Sequence, residues 1–351
     1  NDPKFIAEWT EPIVKACEFI ENACAQTNHD GVKGLLPPAV ATDAGIPTQA
    51  VWNLAWNYKG LVTAVQFLKR IHNPRAAEFD ALAKRYKKTF VKAYRRAAAA
   101  APKWRDAEGH EYPLPPTTLS TTPMPYSVDS YAFYLDTGPM VLVWAGLMQA
   151  DDPLMQAAVK FFREGPDWAL KGPRFNPICR PVLIREISSC EPCYSWNVFY
   201  SWQLGDRQRF LEGMYSLFTA DMSQQTFSGS EHRNGMCDVL GPNALAFDLA
   251  RLSVIDDEIE PGKLHLLRLC PLAWVSSKDE TRLLNMPTVY GPVTLRFKLS
   301  PNGKVLDVSF SGRWWQKPKQ VILHVPPVPG LRKVEVNGVA YPAKGPILLP
   351  P

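Results

Sequence analysis

The chain of 351 residues carries 39 basic and 34 acidic side chains, and its net charge of +5 is spread along its length. Nucleic-acid surfaces need basic residues clustered on one face, and no apolar run approaches the roughly 18 residues of a membrane-spanning helix. With 46% hydrophobic and 21% charged residues, the composition excludes a disordered chain. We therefore expect a folded protein with neither a nucleic-acid nor a membrane partner.

Three helices are predicted in the first part of the chain. Apolar residues recur at helical spacing over about Trp9–Ala25 and Ala50–Ile71, and a third helix runs from Asn73-Pro74 to about Ala101. The third helix contains the densest basic run, Lys84 to Arg96, which aromatic residues interrupt at helical spacing. We interpret this run as the solvated face of a helix.

Five more helices are predicted downstream. They cover about Ser130–Met148, a segment capped by Asp151-Asp152-Pro153 up to about Arg163, Tyr194–Trp202, Arg207–Asp221 and Asn243–Leu252.

Apolar helices alternate with charged ones, and a long polar loop precedes each apolar helix. A toroid of helical hairpins has this pattern, because its inner helices are buried and its outer helices are amphipathic. Function is expected at the end of the toroid where these loops gather. We predict an incomplete (α/α) toroid of about four hairpins over residues 1–263. A missing N-terminal segment or a partner chain would complete the barrel.

Beyond residue 263 the pattern changes to strands. Val293–Leu299 alternates with period two, and Asn302-Gly303 supplies a hairpin turn. Similar alternation over Val305–Phe310, Gln320–Val325 and Val334–Val336 predicts a small antiparallel β-sandwich over residues 264–351.

Two motifs resemble the six-hairpin glycosidase superfamily. The loop Gly34–Pro38 with Thr42-Asp43 is similar to the GLLP loop that precedes an inner helix there. The segments 318–326 and 334–338 are similar to the β-sandwich that often follows such barrels. The resemblance covers nearly the whole chain in architecture and identifies no specific family. It implies a carbohydrate-active enzyme with an (α/α) barrel, and a substrate of that class implies a secreted or periplasmic protein.

Hydrolysis of a glycosidic bond needs two carboxyl groups, one acting as acid and the other as base or nucleophile. Glu191 precedes Pro192, which suits the first position of a helix, so its carboxylate would lie at a helix amino end. Glu231 lies beside His232 in a Gly/Ser setting. We predict Glu191 and Glu231 as the catalytic pair, with Asp43 as the reserve. Structural roles remain open for all three, as a helix cap, an ion-pair partner and a turn residue.

Aromatic and polar side chains near these carboxyls are candidates to bind the sugar, although core packing is an alternative for each aromatic. The predicted substrate-binding residues are Trp52, Asn53, Tyr126, Tyr194, Trp196, His232 and Arg233. Trp56 is a further candidate to line the cleft. Four acidic residues near the opposite end are interpreted as structural: Asp206, Asp256, Asp257 and Glu258.

No cofactor is expected. Cys190 and Cys193 form a C-x-x-C, but a zinc site would need a second pair of matching spacing. We interpret the seven cysteines as mostly buried thiols.

The sequence leaves three functions open. The first is a glycoside hydrolase that acts on a poly- or oligosaccharide, and both neutral and uronic-acid-containing substrates are open. The second is a polysaccharide lyase that cleaves a uronate by β-elimination, for which Tyr126, His232, Arg233 and Asn53 supply a base and groups that neutralise the carboxylate. The third is a non-catalytic scaffold or binding protein.

Overall fold

The computed structural model describes residues 2–40, 47–119, 138–165, 196–220, 222–223, 225–226, 228–229 and 240–351. The helices of this part are α1 (Pro3–Ala25), α2 (Val51–Arg70), α3 (Ala76–Ala100), α4 (Leu142–Ala145), α5 (Pro153–Glu164), α6 (Val198–Leu204), α7 (Arg207–Ala220), α8 (Leu240–Val254) and α9 (Leu272–Val275). The strands are β1 (Ala39–Val40), β2 (Pro47–Thr48), β3 (Lys103–Arg105), β4 (Glu111–Pro113), β5 (Ile255–Asp256), β6 (Lys263–Leu266), β7 (Thr281–Met286), β8 (Val293–Leu299), β9 (Val305–Gly312), β10 (Gln320–His324), β11 (Lys333–Val336), β12 (Val339–Pro342) and β13 (Pro346–Leu349).

Two helix starts show how capping sets the boundaries. Helix α1 begins well before the predicted Trp9, because the Asp2 carboxylate accepts hydrogen bonds from the N–H groups of Lys4 (2.9 Å) and Phe5 (3.3 Å). Helix α5 begins as predicted, since the Asp152 carboxylate accepts a hydrogen bond from the Leu154 N–H at 3.0 Å. In both helices, therefore, an aspartate caps the first turn and a proline is the first helical residue.

Helix α4 is shorter than the predicted apolar helix, of which residues 130–137 lie outside the described part. A 3₁₀ turn (Pro139–Val141) leads into it, and it ends at Gly146, whose φ of 78° is left-handed. The Lys87 Nζ donates to the Gly146 carbonyl at 2.6 Å. The predicted end at Met148 is wrong because this capped glycine terminates the helix first.

The described helices contact one another in a series of neighbouring pairs. Helix α2 contacts α1, α3 and α4; α4 contacts α6, and α6 and α8 both contact α7. Helix α2 buries one face through residues such as Leu54 and Leu61, but Trp56, Gly60 and Thr63 remain exposed. The pairing of helices agrees with part of the expectation. A ring of hairpins is not shown by the described residues and remains a prediction.

Two sheets follow the helices. One has strand order β13-β10-β6-β5 and the other β12-β11-β9-β8-β7. Their inward-facing side chains share one apolar core, with Val293, Leu295, Phe297, Val321 and Leu323 almost wholly buried. The helical part has a separate core cluster that extends from Cys17 to Leu269.

The expected antiparallel pairing is wrong at two places. Strand β10 pairs parallel with β6, and β11 pairs parallel with β9. The chain crosses to the other sheet between the members of each pair, and parallel neighbours require such a crossover. Alternation along a strand shows which side chains are buried, but it carries no information on the direction of the neighbour.

Strand β5 comes before residue 264 and pairs with β6, so sheet structure already starts at the end of α8. The division into 1–263 and 264–351 stays a prediction. Several hydrogen bonds join the helical and β parts directly. For example, the Arg70 guanidinium donates to the Val289 carbonyl at 2.7 Å, and that of Arg207 to the Arg268 carbonyl at 3.1 Å.

The described helices include none that combines the length and the hydropathy needed to cross a membrane. Three cysteines fall in the described part, Cys17, Cys24 and Cys270, and all are buried free thiols. Burial raises the pKa of Cys17 and Cys24 to about 11 and that of Cys270 to about 12. These thiols are therefore inert at neutral pH, whereas Cys190 and Cys193 lie outside the described residues.

Candidate functional site

Most of the predicted site falls outside the described residues. The predicted catalytic carboxyls and four of the predicted substrate-binding residues are in this group: Asp43, Glu191, Glu231, Tyr126, Tyr194, His232 and Arg233. The described flanks of these segments adjoin the starts of helices. The chain around Asp43 joins the paired strands β1 and β2 and continues into α2. Their roles remain predictions.

Three tryptophans meet in the helical part, and we call them the tryptophan cluster: Trp56, Trp144 and Trp196. The ring centroids of Trp56 and Trp144 are 4.5 Å apart, those of Trp144 and Trp196 4.7 Å, and those of Trp56 and Trp196 5.2 Å. Trp196 is 9% exposed, whereas Trp56 is 36% exposed. Trp144 and Trp196 therefore hold Trp56 in place, and Trp56 presents its ring to solvent.

The order of elements explains how these distant residues meet. Trp56 lies in the second turn of α2, Trp144 is the third residue of α4, and Trp196 comes two residues before α6. Because α4 contacts both α2 and α6, one residue from each element reaches the same point. The buried Trp196 ring also packs on the core, because the Phe199 ring stacks on it with centroids 6.0 Å apart.

A cation adjoins the cluster. Lys59, one turn beyond Trp56 on α2, places its Nζ 4.9 Å from the centroid of the Trp144 ring. This cation–π contact occupies the Trp144 face, so Trp56 keeps the available ring surface. The adjacent Gly60 leaves this side of α2 open, since a Cβ built there would meet no atom within 4 Å.

Two carboxyl groups lie within electrostatic reach of Lys59, and we call them the carboxyl pair: Asp248 on α8 and Glu258 after β5. Both accept from the same nitrogen of Arg251, at 3.1 Å to Asp248 Oδ1 and 2.9 Å to Glu258 Oε1. These two oxygens are therefore no further apart than the sum of the two distances. The Asp248 side chain is 36% exposed and that of Glu258 is 40% exposed.

The pKa values of both members of the carboxyl pair are raised despite their cationic neighbours. Desolvation raises the pKa of Asp248, and Arg251 and Lys59 oppose that shift only in part. Desolvation and the negative charge of Asp248 raise the pKa of Glu258, again against Lys59 and Arg251. Among the described residues, no hydrogen bond reaches the second oxygen of either carboxyl. Both groups thus keep acceptor positions open at a recessed surface.

The neighbouring aspartates differ, and their contacts agree with the structural role predicted for them. Asp256 is fully buried and accepts from Trp202 Nε1 at 2.8 Å and from Arg268 Nε at 3.1 Å. Asp257 accepts from Arg251 and from the Val289 N–H, both at 2.6 Å. Glu258, also predicted to be structural, pairs with Arg251 as well but differs from these aspartates in that its side chain is 40% exposed.

Two other predicted substrate-binding residues are described. Trp52 is half-buried and packs on the helical core, and its Nε1 has no hydrogen-bond partner among the described residues. Asn53 accepts hydrogen bonds from the Asn57 side-chain amide, to its main-chain carbonyl at 2.8 Å and to its Oδ1 at 3.2 Å. Neither residue joins the tryptophan cluster.

Sequence analysis missed Trp144, Lys59 and Asp248. Trp144 lies in an apolar run and was not separated from core residues. The spacing of Trp56 and Lys59, one helical turn apart on α2, was the signal available in the sequence.

One described group has the composition of a metal site. Ligand atoms of Asp106, Glu108 and His110 in the β3–β4 turn lie within 4.8 Å of one another. Asp106 already accepts from the His110 N–H at 2.8 Å and lies 3.4 Å from the Lys160 Nζ. We interpret this group as a charged hairpin turn.

Comparison with known proteins gives little. No protein-family model matches the chain, and no curated protein matches it. Among solved structures, the chain is similar to a GH78 family rhamnosidase of Bacillus sp. GL1, with a TM-score of 0.44 and 12% sequence identity. The likeness covers 96% of this chain and 32% of the rhamnosidase chain, so this chain spans about a third of that protein.

Proposed function

We propose that the face formed by Trp56, Lys59 and the carboxyl pair binds a saccharide, and that the chain is the sugar-binding and catalytic part of a glycoside hydrolase. The observation that carries the proposal is an exposed Trp56 packed against two further tryptophans. One turn along the same helix, Lys59 lies within electrostatic reach of two carboxyls that keep open acceptor positions.

A saccharide needs two kinds of partner at once. Its C–H faces are apolar and pack on an aromatic ring, while its hydroxyl groups need hydrogen-bond donors and acceptors at the rim of that ring. Trp56 supplies the ring, Asp248 and Glu258 supply acceptors, and Lys59 supplies a donor. Charge-assisted hydrogen bonds of this type are stronger than neutral ones.

The chemical step is assigned to the predicted pair, Glu191 and Glu231, with Asp43 in reserve. Hydrolysis requires one protonated carboxyl to donate to the leaving oxygen, while the other acts as base or nucleophile. Asp248 and Glu258 are proposed to bind the sugar, because Arg251 holds both by ion pairs. Their raised pKa values then imply that acidification weakens sugar binding as the acceptor oxygens become protonated.

The test begins with a panel of neutral and uronate-containing oligosaccharides, assayed for new reducing ends and for the ultraviolet absorbance of a conjugated double bond. On the best substrate, Glu231→Gln is expected to lower kcat about 10²–10⁴-fold and to leave Kd unchanged. Asp248→Asn and Glu258→Gln are expected to raise KM roughly tenfold and to leave kcat nearly intact.

Three results would contradict parts of this proposal. A wild-type rate in Glu231→Gln would remove that residue from the chemistry. A collapse of kcat in Glu258→Gln, with KM unchanged, would move the acid–base role to the carboxyl pair. New double bonds instead of hydrolysed ends would show a lyase.

A further inference from the structure

Helix α3 carries seven lysines and arginines between residues 84 and 96, and their partners divide them into two groups. Lys84 lies 2.7 Å from the Asp80 carboxylate, and Arg95 pairs with Asp152. Lys87 donates to the main-chain carbonyl at the end of α4 at 2.6 Å. Lys87 and Arg95 thus join the helix to its surroundings, and Lys84 pairs within the helix.

The other four are Arg85, Lys88, Lys92 and Arg96. All four are exposed, and within the described part of the chain none of them takes part in an ion pair or a hydrogen bond. Steps of three, four and four residues place them in one row along α3. At 1.5 Å per residue the row is about 16 Å long, with neighbours about 4.5–6 Å apart along the axis.

The row borders a groove with a volume of about 540 Å³, which is the size of a small-molecule site. Besides the four cations, small uncharged side chains line the groove, and no acidic residue is among the lining residues. The lining residues are Val32, Arg85, Lys88, Thr89, Lys92, Ala93 and Arg96. We call this surface the basic groove. The exposure of the four cations agrees with the interpretation of the 84–96 run as the solvated face of a helix.

Like charges one turn apart, such as Lys88 with Lys92 and Lys92 with Arg96, destabilise a helix. An anion in the groove would remove this repulsion. The two arginines at the ends have planar forks that pair bidentately with oxyanions, and the two central lysines act as point charges. The four cations thus match a ligand that carries several oxyanions in a line.

We propose that the basic groove binds a short anionic chain bearing sulfate or phosphate groups. The lining contains no aromatic ring on which nucleic-acid bases would stack, and one row of cations on a single helix is narrow for a duplex. The proposal is independent of the saccharide proposed at Trp56, because the two surfaces have no residue in common.

Two double variants with the same loss of charge test the proposal. Lys88→Gln with Lys92→Gln removes the centre of the groove, and Lys84→Gln with Arg95→Gln removes two paired cations of the same helix. Binding of a sulfated oligosaccharide and of inorganic tripolyphosphate is measured by calorimetry at low and at physiological salt. We expect wild-type binding that weakens with salt, a loss on the order of tenfold in the groove variant, and a change within about twofold in the control.

The two ligands separate the sources of the oxyanion: binding of only the sulfated sugar assigns a glycan, and binding of only tripolyphosphate assigns a phosphorylated ligand. Equal losses in both double variants, or equally tight binding of duplex DNA, would overturn the proposal, since net charge alone would then explain the affinity. Failure of the wild-type protein to bind either ligand would also overturn it. Circular dichroism of both variants confirms that each is folded.

Discussion

Two clusters in this molecule use the same residue types to different ends. Where the helical part meets the sheets, Trp202, Asp256 and Arg268 form what we call the junction cluster, in which Asp256 is wholly buried. One of its oxygens accepts from Trp202 Nε1 and Arg268 Nε, and the other from the N–H groups of residues 258 and 259. The junction cluster has no acceptor position left for a ligand.

At the tryptophan cluster and the carboxyl pair, the same combination of tryptophan, arginine and carboxyl stays open. Asp248 and Glu258 share one arginine nitrogen and keep more than a third of their side-chain surface exposed. Satisfied and buried polar groups stabilise a fold, whereas unsatisfied and recessed ones are available to a ligand. The number and geometry of hydrogen bonds distinguish the two roles, and residue type does not.

The largest expected effect is on the junction cluster. Asp256→Asn removes the charge that faces Arg268 and leaves a buried cation without its partner, which typically costs about 3–5 kcal/mol of unfolding free energy. Asp248→Asn is the matched control, and its partly exposed ion pair should contribute less than about 1 kcal/mol. Urea denaturation measures both. Equal losses would show that the two clusters have the same structural role.

The second-largest expected effect is a loss of stability of the β part at acidic pH. The rings of His265 and His324 stack with their centroids 5.2 Å apart. Nδ1 of His265 lies 2.9 Å from Nε2 of His324. Burial, with the positive charge of His265 when it is protonated, lowers the pKa of His324 from 6.5 to about 4. The unfolded chain therefore binds a proton more readily in this window, so stability falls as pH drops from about 6.5 to about 4.

The loss should reach at most about 3 kcal/mol at the lower end of that window. Denaturation midpoints of the wild type and of His324→Gln, followed from pH 7 to pH 4, measure it. The variant should lose most of the slope. An unchanged slope would assign the acid sensitivity to other groups.

The sequence predicted local structure well and contacts between distant segments poorly. The bounds of β8 were predicted to the residue, because its alternation and its turn are both local. The start of α5 after Asp151-Asp152 was also predicted correctly. The parallel pairing of β9 with β11 was not, since it depends on a crossover through the other sheet.

The same division applies to the site. The sequence suggested Trp56 and Trp196 one by one, as aromatic residues near predicted helix starts. Their contact with Trp144 depends on the packing of α4 between α2 and α6, which no local pattern encodes. Glu258 was interpreted as structural together with Asp256 and Asp257, and only their different hydrogen bonds separate it from them.

A smaller effect tests how open the proposed face is. Gly60→Ala should stabilise the protein by roughly 0.5–1 kcal/mol, because alanine favours the helix and its Cβ meets nothing within 4 Å. Thermal unfolding measures the gain, and the affinity for the best oligosaccharide should stay unchanged. A destabilised variant would mean that another part of the chain covers this face of α2.

The central claim is that Trp56 is the platform for a saccharide, and titration of two tryptophan variants tests it most directly. Trp56 is 36% exposed within its cluster, and Trp9 is 46% exposed on α1 and stacks on Phe5. Trp56→Ala is expected to weaken binding of the best oligosaccharide at least about tenfold, while Trp9→Ala binds as the wild type does. Wild-type affinity in Trp56→Ala, or an equal loss in Trp9→Ala, would contradict the proposed function of this face.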